Sequence, residues 1–505
     1  LGDVYKRQTW ICAAQDTDNA SLVKDIMLKR VRIALTALLL LAAVGVNAQV
    51  TTASMAGKVT DASNEPIIGA TVQAVHQPSG SRYGTVTNVD GRYSIQGMRT
   101  GGPYRVEISY IGYQTVIYKD ITLQLGEVYN LNVEMSESSE LLNEVIVTAA
   151  KTKFTAEKTG ATTNISSAQI TQLPTVNRSI SDIARLSPYA NGMSFAGGDG
   201  RSTNFTIDGD NFNNNFGLSS NLPGGGNPIS MDAIEEVQVV VAPFDVRQTN
   251  FIGGGINAIT KSGTNTFRGT AYTYYRNQDM RGNRINGEDL GARSDESKTT
   301  YGFTLGGPII KNKLFFFVNY EKEKTPGEVI KYRAREDGEE AKGMVSRTLK
   351  SDMEKVYNHL KDKYGYDAGS YTSFPADEEN TKILARIDWN ITDRHRLSLR
   401  YNNTKNTAWN APNGNSSDTG YRLNNTYRVG TQSMAFANSM YSMDNKVQSW
   451  ATDLNSRFTD KISNQLLFTY TNIEDMRGTN SSPFPFIDIM AGKDENGNQI
   501  LEPYM

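Results

Sequence analysis

A two-residue alternation recurs through the second half of this chain and limits what it can fold into. Within 299–307, Tyr301, Phe303 and Leu305 fall on one side; within 313–322, so do Leu314, Phe316, Val318 and Tyr320. Within 382–390, Ile383, Ala385, Ile387 and Trp389 alternate with Lys382, Arg386, Asp388 and Asn390. Within 396–402, Leu397, Leu399 and Tyr401 alternate with Arg396, Ser398 and Arg400. Trp450, Leu454 and Phe458 oppose Asp453, Asn455 and Arg457, and Leu466, Phe468 and Tyr470 share a face further on. Successive strand side chains point to opposite faces, so each run is a strand with one apolar and one polar side. A soluble sheet with one wet face alternates in the same way. Aromatic residues near the strand ends favour a membrane barrel with an interfacial girdle. Connection lengths argue the same independently. Short turns at 307–313, 390–396 and 458–465 alternate with long polar stretches at 277–298, 323–380 and 405–447. That is the rhythm of outer-membrane barrels, with turns periplasmic and loops outside. Leu397, Leu399, Ile383 and Ile387 are expected to face lipid. Arg400 is expected to face the lumen and to tolerate leucine.

Composition narrows the classes. Lys and Arg total 52 against 54 Asp and Glu, so no global basic field points to nucleic acid. Glycine is abundant at 44, Tyr exceeds Phe by 25 to 18, and mean hydropathy is negative. These values suit a soluble β-rich protein, or a barrel whose polar interior dilutes its apolar outside. No run of about 18 apolar residues appears, so no transmembrane helix is expected.

Residues 1–26 start without Met and match nothing downstream; they read as non-native upstream sequence. A secretory pattern begins at Met27, with Lys29, Arg30 and Arg32 before the apolar stretch 33–46. Small residues at Val46-Asn47-Ala48 place cleavage of the signal peptide, 27–48, after Ala48, with Gln49 as the new terminus. The alternative is an N-terminal membrane anchor. Cys12 is the only cysteine and precedes this signal, so the expected mature chain has no disulfide, thiolate nucleophile or lipidated cysteine.

Residues 49–135 carry several short alternating runs separated by turn signals. Ile68, Ala70, Val72 and Ala74 lie at period two, as do Tyr104, Val106, Ile108 and Tyr110. Asn88-Val89-Asp90-Gly91 supplies a turn. This predicts a sandwich of about seven strands. Residues 136–161 open with a polar tether, Ser136 to Glu140, and then give Glu144-Val145-Ile146-Val147-Thr148-Ala149. Four β-branched residues favour extension here. The segment is either a buried edge strand or a mobile one that adds to a partner's sheet.

Residues 162–265 read as a mixed α and β domain. Ser166 or Ser167 caps one short helix, and Ser179 or Ser181 caps another that ends before Pro188. Strands are expected over 204–207, 237–241 and 256–260. Gly253-Gly254-Gly255 permits sharp turning or close backbone approach. No GxGxxG opens a helix and no Gly-Lys-Ser/Thr follows, so these glycines form no nucleotide loop. Asp208, Asp210, Asn211, Phe212, Asn213, Asn214, Asn215 and Phe216 form a polar, aromatic loop. It is either solvated or in contact with a substrate. His76, His359 and His395 lie outside any His-Glu-x-x-His arrangement, and no catalytic, metal or cofactor site is expected.

The order Ile207-Asp208-Gly209, then "AIEEVQVV", then "GGGINAITKSG" resembles the plug of TonB-dependent outer-membrane receptors, in particular the Oar-like branch of Bacteroidetes. "GKVTDASNEPIIGATV", "TNVDGRYSI" and "YRVEISYIGYQT" resemble the carboxypeptidase regulatory-like domain, a transthyretin-like sandwich without catalytic function. "EVIVTA" resembles the TonB box. The expected architecture is therefore mainly β: the transthyretin-like β-sandwich (49–135), a tether with the TonB-box-like segment (136–161), an α+β plug (162–265), and about seven strands of a truncated transmembrane antiparallel barrel (266–505). The first barrel strand is expected over 267–276, and seven strands cannot enclose a plug. The resemblance implies active transport across the outer membrane, with the TonB–ExbB–ExbD complex, outer-membrane lipid and an unidentified extracellular substrate as partners. The rival reading is a structural or adhesion protein on the same scaffold.

Overall fold

The computed structural model describes residues 50–137, 145–148, 161–175, 177–213, 222–241, 251–280, 284–289, 297–326, 332–374, 376–412, 428–459, 462–493, 496–498 and 503–505, with positions 243, 248 and 282. The chain divides at Ala48 and Gln49 into two units, and all described residues belong to the second.

The sandwich is built from β1 (Ala53–Asp61), β2 (Thr71–His76), β3 (Ser81–Val86), β4 (Arg92–Met98), β5 (Gly101–Ser109), β6 (Val116–Leu123), β7 (Val128–Asn130) and β8 (Val133–Met135). One sheet runs β4-β1-β7, with β8 also on β1; the other runs β3-β2-β5-β6 and gains β9 (Val145–Thr148) at its edge. The alternating residues Val72, Ala74, Tyr104, Val106 and Ile108 all turn inward and are fully buried or nearly so. His76 is buried among them, its Nδ1 2.6 Å from Ser79 Oγ, and burial lowers its pKa to about 3.

The domain expected to be a plug, hereafter the plug, follows as β10 (Ala161–Ser166), α1 (Ser167–Gln172), α2 (Ile180–Ala184), a small hairpin of β11 (Ala190–Asn191) and β12 (Ser194–Phe195), then β13 (Asn204–Ile207), β14 (Asp210–Asn211), β15 (Ile234–Val241) and β16 (Gly255–Thr260). Its sheet runs β10-β15-β16-β13-β14. The helices start at the expected serines. Gln169 accepts from Ser166 N at 3.0 Å, and Asp182 accepts from Ser179 N at 3.3 Å, which satisfies a free N–H at each helix start. Every residue of β16 is buried, so this strand has cover on both faces. The glycine run before it allows close approach: a Cβ on Gly254 would lie 2.6 Å from Phe195 Cβ.

The remaining strands form one antiparallel seven-stranded sheet, β17-β20-β21-β24-β25-β26-β27. They are β17 (Arg268–Asn277), β20 (Ser297–Ile310), β21 (Leu314–Thr325), β24 (Glu378–Asn390), β25 (His395–Asn410), β26 (Tyr441–Arg457) and β27 (Ser463–Gly478). Two short pairs, β18 (Arg284–Ile285) with β19 (Glu288–Asp289) and β22 (Arg333–Arg335) with β23 (Val345–Leu349), lie in the long connections. One face of the sheet packs against the plug. Phe317, Leu384 and Val447 of the wall join the plug core containing Phe205, Val237 and Ile256. On the other face Phe303, Ile387, Trp389, Leu399, Trp450 and Phe468 are exposed.

The long connection after β21 differs from the polar loop expected over 323–380. It contains a helix, α3 (Lys350–Tyr364), closed by Gly365 at φ 63. Its apolar contribution is slight, with Met353 the buried residue, so no helical stripe was visible in the sequence. It packs with residues from two other long connections: Met353, Met434 and Met440 share a small core, and Tyr366 stacks on Phe484 at 3.9 Å. No described helix is long and apolar enough to cross a membrane, which says nothing of crossing by strands.

The outward face generates a direct test. In the full-length barrel, Leu399→Arg should cost about 2–4 kcal/mol if the position lies near the bilayer midplane. Leu399→Phe should be close to neutral. A folding titration in lipid vesicles measures both, and equal costs would contradict the assignment of this face to lipid.

Candidate functional site

The plug meets the wall through charge. Asp208 and Gly209 join β13 to β14 with φ 48 and φ 79, the positive pair that a two-residue type I′ hairpin requires. The turn projects two carboxylates. Asp208 accepts from Thr260 N at 2.9 Å and Thr260 Oγ1 at 2.6 Å, which ties the hairpin to the end of β16. Arg386 of β24 donates to Thr260 O at 2.9 Å and lies 3.5 Å from Asp208. Arg400 of β25 donates to Asp210 at 3.1 Å and to Ser449 Oγ at 3.2 Å, with its Nε 3.6 Å from Asp208. Thr471 of β27 donates to the other Asp210 oxygen at 2.6 Å. Arg386 is itself oriented by Asp388, through two bonds of 3.0 Å.

This corrects the expectation for Arg400. It faces the lumen, but the lumen there is filled by plug, and the Arg400 side chain is only 2% exposed. Removing its charge would leave Asp210 buried and without its ion partner, which is far costlier than a change in a wet channel.

A second polar contact lies further along the wall. Lys382 sits between Glu321 at 3.0 Å and Glu323, and Lys298 pairs with Glu323 as well. Ser230 of the plug and Tyr272 of β17 both donate to Glu321, at 2.8 Å and 2.9 Å. Beyond it, Asn380 donates to Gly224 O at 3.2 Å, and Thr404 to Pro228 O at 2.7 Å. A polar cavity of about 240 Å³ opens there, lined by Asn177, Ser179, Gly226, Lys298, Glu378 and Asn406 among others.

The loop residues singled out in the sequence take varied places. Asp208 and Asp210 are engaged with the wall. Asn211 is half-buried and accepts from Asn213 N at 2.8 Å. Phe212 is fully buried against Phe205, with ring centroids 6.3 Å apart. Asn213 accepts from Phe205 N at 2.7 Å and donates to Asn204 at 2.9 Å. Asn214, Asn215 and Phe216 lie outside the described residues. The partners Arg386, Arg400 and Lys382 were not singled out as plug contacts, Arg400 being read only as lumen-facing. Their one signal was a basic residue on the polar face of an alternating strand, which water explains equally well.

The sandwich covers the turn end of the wall and one edge of the plug. Arg99 lies 3.5 Å from Asp388 and donates to Ser262 at 3.2 Å. Arg396 stacks over Tyr83 at 3.7 Å and donates to Arg82 O at 2.7 Å. Thr51 donates to Asp453 at 2.8 Å. At the plug, Leu125 N donates to Glu236 at 3.0 Å, while Asn164 and Gln238 donate to Leu125 O at 3.1 Å and 2.6 Å. Val50, Leu125 and Ile259 form a small apolar cluster beside them. Of the TonB-box-like residues, Val145, Ile146, Val147 and Thr148 form β9, parallel to β6, with Val116 opposite Val145 and Lys119 opposite Thr148. Glu144 and Ala149 lie outside the described residues. No cluster of three or more His, Cys, Asp or Glu suited to a metal occurs among the described residues.

Comparison with known proteins follows this layout. Residues 54–136 match the carboxypeptidase regulatory-like domain family, and residues 259–330 match an outer membrane beta barrel domain family. The TonB-dependent transporter Oar of Myxococcus xanthus is 25% identical over 376 residues, covering 69% of this chain and 33% of that protein. The chain is similar to a TonB-dependent transporter. It spans about a third of the length of this relative. The relative is a Myxococcus protein, so the match reaches the Oar type without marking a Bacteroidetes branch. Among solved structures, the outer membrane transporter YddB from Escherichia coli aligns with a TM-score of 0.43 at 15% identity, over 63% of this chain and 40% of that one. The siderophore receptor PirA from Pseudomonas aeruginosa aligns at 0.39 and 15%, over 64% and 42%. The matched proteins are transporters and receptors rather than enzymes.

Glu236 gives the sandwich–plug contact a pH dependence. Burial pushes its carboxyl up to about 7, with Glu127 and Glu235 adding repulsion and the bonds from Leu125 N and Asn164 opposing. An acid raised in the folded state contributes stability fully below its ordinary value of 4.5, and loses it as pH rises through about 7. The loss is on the order of 3 kcal/mol at most. Glu236→Gln keeps an acceptor and removes the charge. It should stabilise the full-length protein in urea at pH 8 and change little at pH 5; stabilisation at pH 5 with none at pH 8 would refute the assignment.

Proposed function

We propose that this chain forms the N-terminal part of an energised outer-membrane transporter. Its seven wall strands would continue into a closed barrel with Leu399, Ile387 and their neighbours against outer-membrane lipid. TonB, driven by ExbB and ExbD, would engage Glu144 to Ala149 and pull. One observation carries the reading: the chain runs from β9 through 149–160 into β10, the outermost strand of the plug sheet, bonded along one side to β15. Traction on 144–149 therefore reaches the plug at an edge strand, held laterally on one side only. The plug meets the wall through hydrogen bonds and ion pairs as well as apolar contact, and these can re-form after each cycle. Substrate would enter from the side of the long connections. Asn211, the residues 213–216 and the glycines 224–226 are the proposed plug contacts for it, with Phe212 buried behind them. Asp208 and Asp210 would act by holding the hairpin to the wall. Targeting is proposed to run through the signal peptide ending at Ala48.

Strand addition rests mainly on backbone groups. Ile146→Val should therefore leave capture of the purified TonB C-terminal domain by the full-length receptor within about twofold. Ile146→Pro removes a donor and fixes φ, and should weaken capture at least tenfold at unchanged outer-membrane abundance. Undiminished capture by Ile146→Pro would mean that this segment is not the TonB contact. Lost abundance would mean that it is a structural strand.

A further inference from the structure

The pairing of β9 with β6 changes how a pull on this segment must act. The β3-β2-β5-β6 sheet would otherwise present β6 as an open edge, with unpaired backbone groups that invite another strand. The chain's own segment fills that edge, in parallel register from Val116↔Val145 to Lys119↔Thr148. Among the described residues the outer side of β9 is unpaired, so a second strand can add there while β9 remains seated.

We propose that the β6 edge is a dock for the coupling segment, and that the docked strand is a mechanical latch which traction must strip before force reaches the plug. This rests on the reading of 144–149 as the TonB contact. The argument is one of load path. The sandwich is fixed to the wall at several places, among them Arg99 with Asp388 at 3.5 Å, Arg396 over Tyr83 at 3.7 Å, Thr51 with Asp453 at 2.8 Å and Ser81 with Asn390 at 3.2 Å. A pull on β9 while it is bonded to β6 loads the sandwich and, through those contacts, the barrel. Only when β9 leaves β6 does the load pass along 149–160 to β10. The same sandwich grips the plug at Asn164 and Gln238 through Leu125 O. One small domain thus holds both ends of the connection that traction must load. The latch keeps thermal tugging from reaching the plug, and it sets a threshold force for opening.

The test locks the latch. Lys119 is exposed, so Lys119→Cys leaves the sandwich core intact, and Thr148→Cys stands at its register partner. Both are placed in the full-length receptor in a Cys12→Ser background. Oxidation in the native membrane should link the two, and neither single-cysteine variant should respond. The purified TonB C-terminal domain on a force-probe tip is then withdrawn from the receptor in a bilayer. The reduced receptor should lengthen in steps as plug residues leave the wall. The oxidised receptor should release the tip with no lengthening, and reductant should restore it. Failure of the pair to link, or equal lengthening in both states, overturns the latch. If the tip never adheres to the reduced receptor, or Ile146→Pro retains capture, the coupling assignment itself has failed, and the latch falls with it. Linkage failing while Ile146→Pro loses capture overturns the latch alone.

Discussion

The contact between two plug aspartates and two wall arginines is the constraint around which the described structure is arranged. Asp208 and Asp210 leave one tight hairpin, and Arg386 and Arg400 reach them from adjacent strands. Each charge would be costly to bury alone. Together they fix which strands face the plug, and therefore which alternate residues face outward. A one-residue slip of β25 would carry Arg400 to the exposed outer face and Leu399 into the ion network. The pairing thus selects the register of the wall as well as the seat of the plug. Asp388 extends the same network to Arg99, so the sandwich is held by the charge that orients Arg386.

The arrangement places the two ends of the wall under different constraints. Short turns meet the sandwich, whose Tyr83, Arg99 and Thr51 contact residues near the ends of β24, β25 and β26. Long connections gather at the other end, where α3 and parts of two further loops share an apolar cluster. Outer-membrane barrels separate their ends in this way, with short turns on the periplasmic side and long loops outside.

Much of this was legible because the signals were local. Period-two alternation gave the wall strands, since one face must be apolar and the other polar. Ser166 and Ser179 marked helix starts because the first N–H groups of a helix need acceptors. The Asp208-Gly209 turn was missed, because its residues were read as part of one long polar loop, although positive φ at both positions favours them. The pairing of Asp210 with Arg400, 190 positions apart, could not be read, because a lysine or arginine on a polar face looks the same whether water or a carboxylate meets it. The helix α3 was hidden for a related reason: it buries little, so it carries no apolar period. The dock of β9 on β6 was also invisible, since an extended β-branched segment does not name the edge that accepts it.

The most direct measurement is a double-mutant cycle on the plug–wall contact in the full-length receptor. Asp210→Asn, Arg400→Gln and the pair are compared by the urea needed to release the plug from the wall. Arg400→Gln leaves Asp210 buried without an ion partner and should cost roughly 3–5 kcal/mol, whereas Asp210→Asn leaves Arg400 beside Asp208 and should cost less. The double change removes both charges of the pair, and should cost less than the sum of the singles by about 1–3 kcal/mol. Costs that add to within about 0.5 kcal/mol would show two independent sites and contradict a plug seated by this ion network.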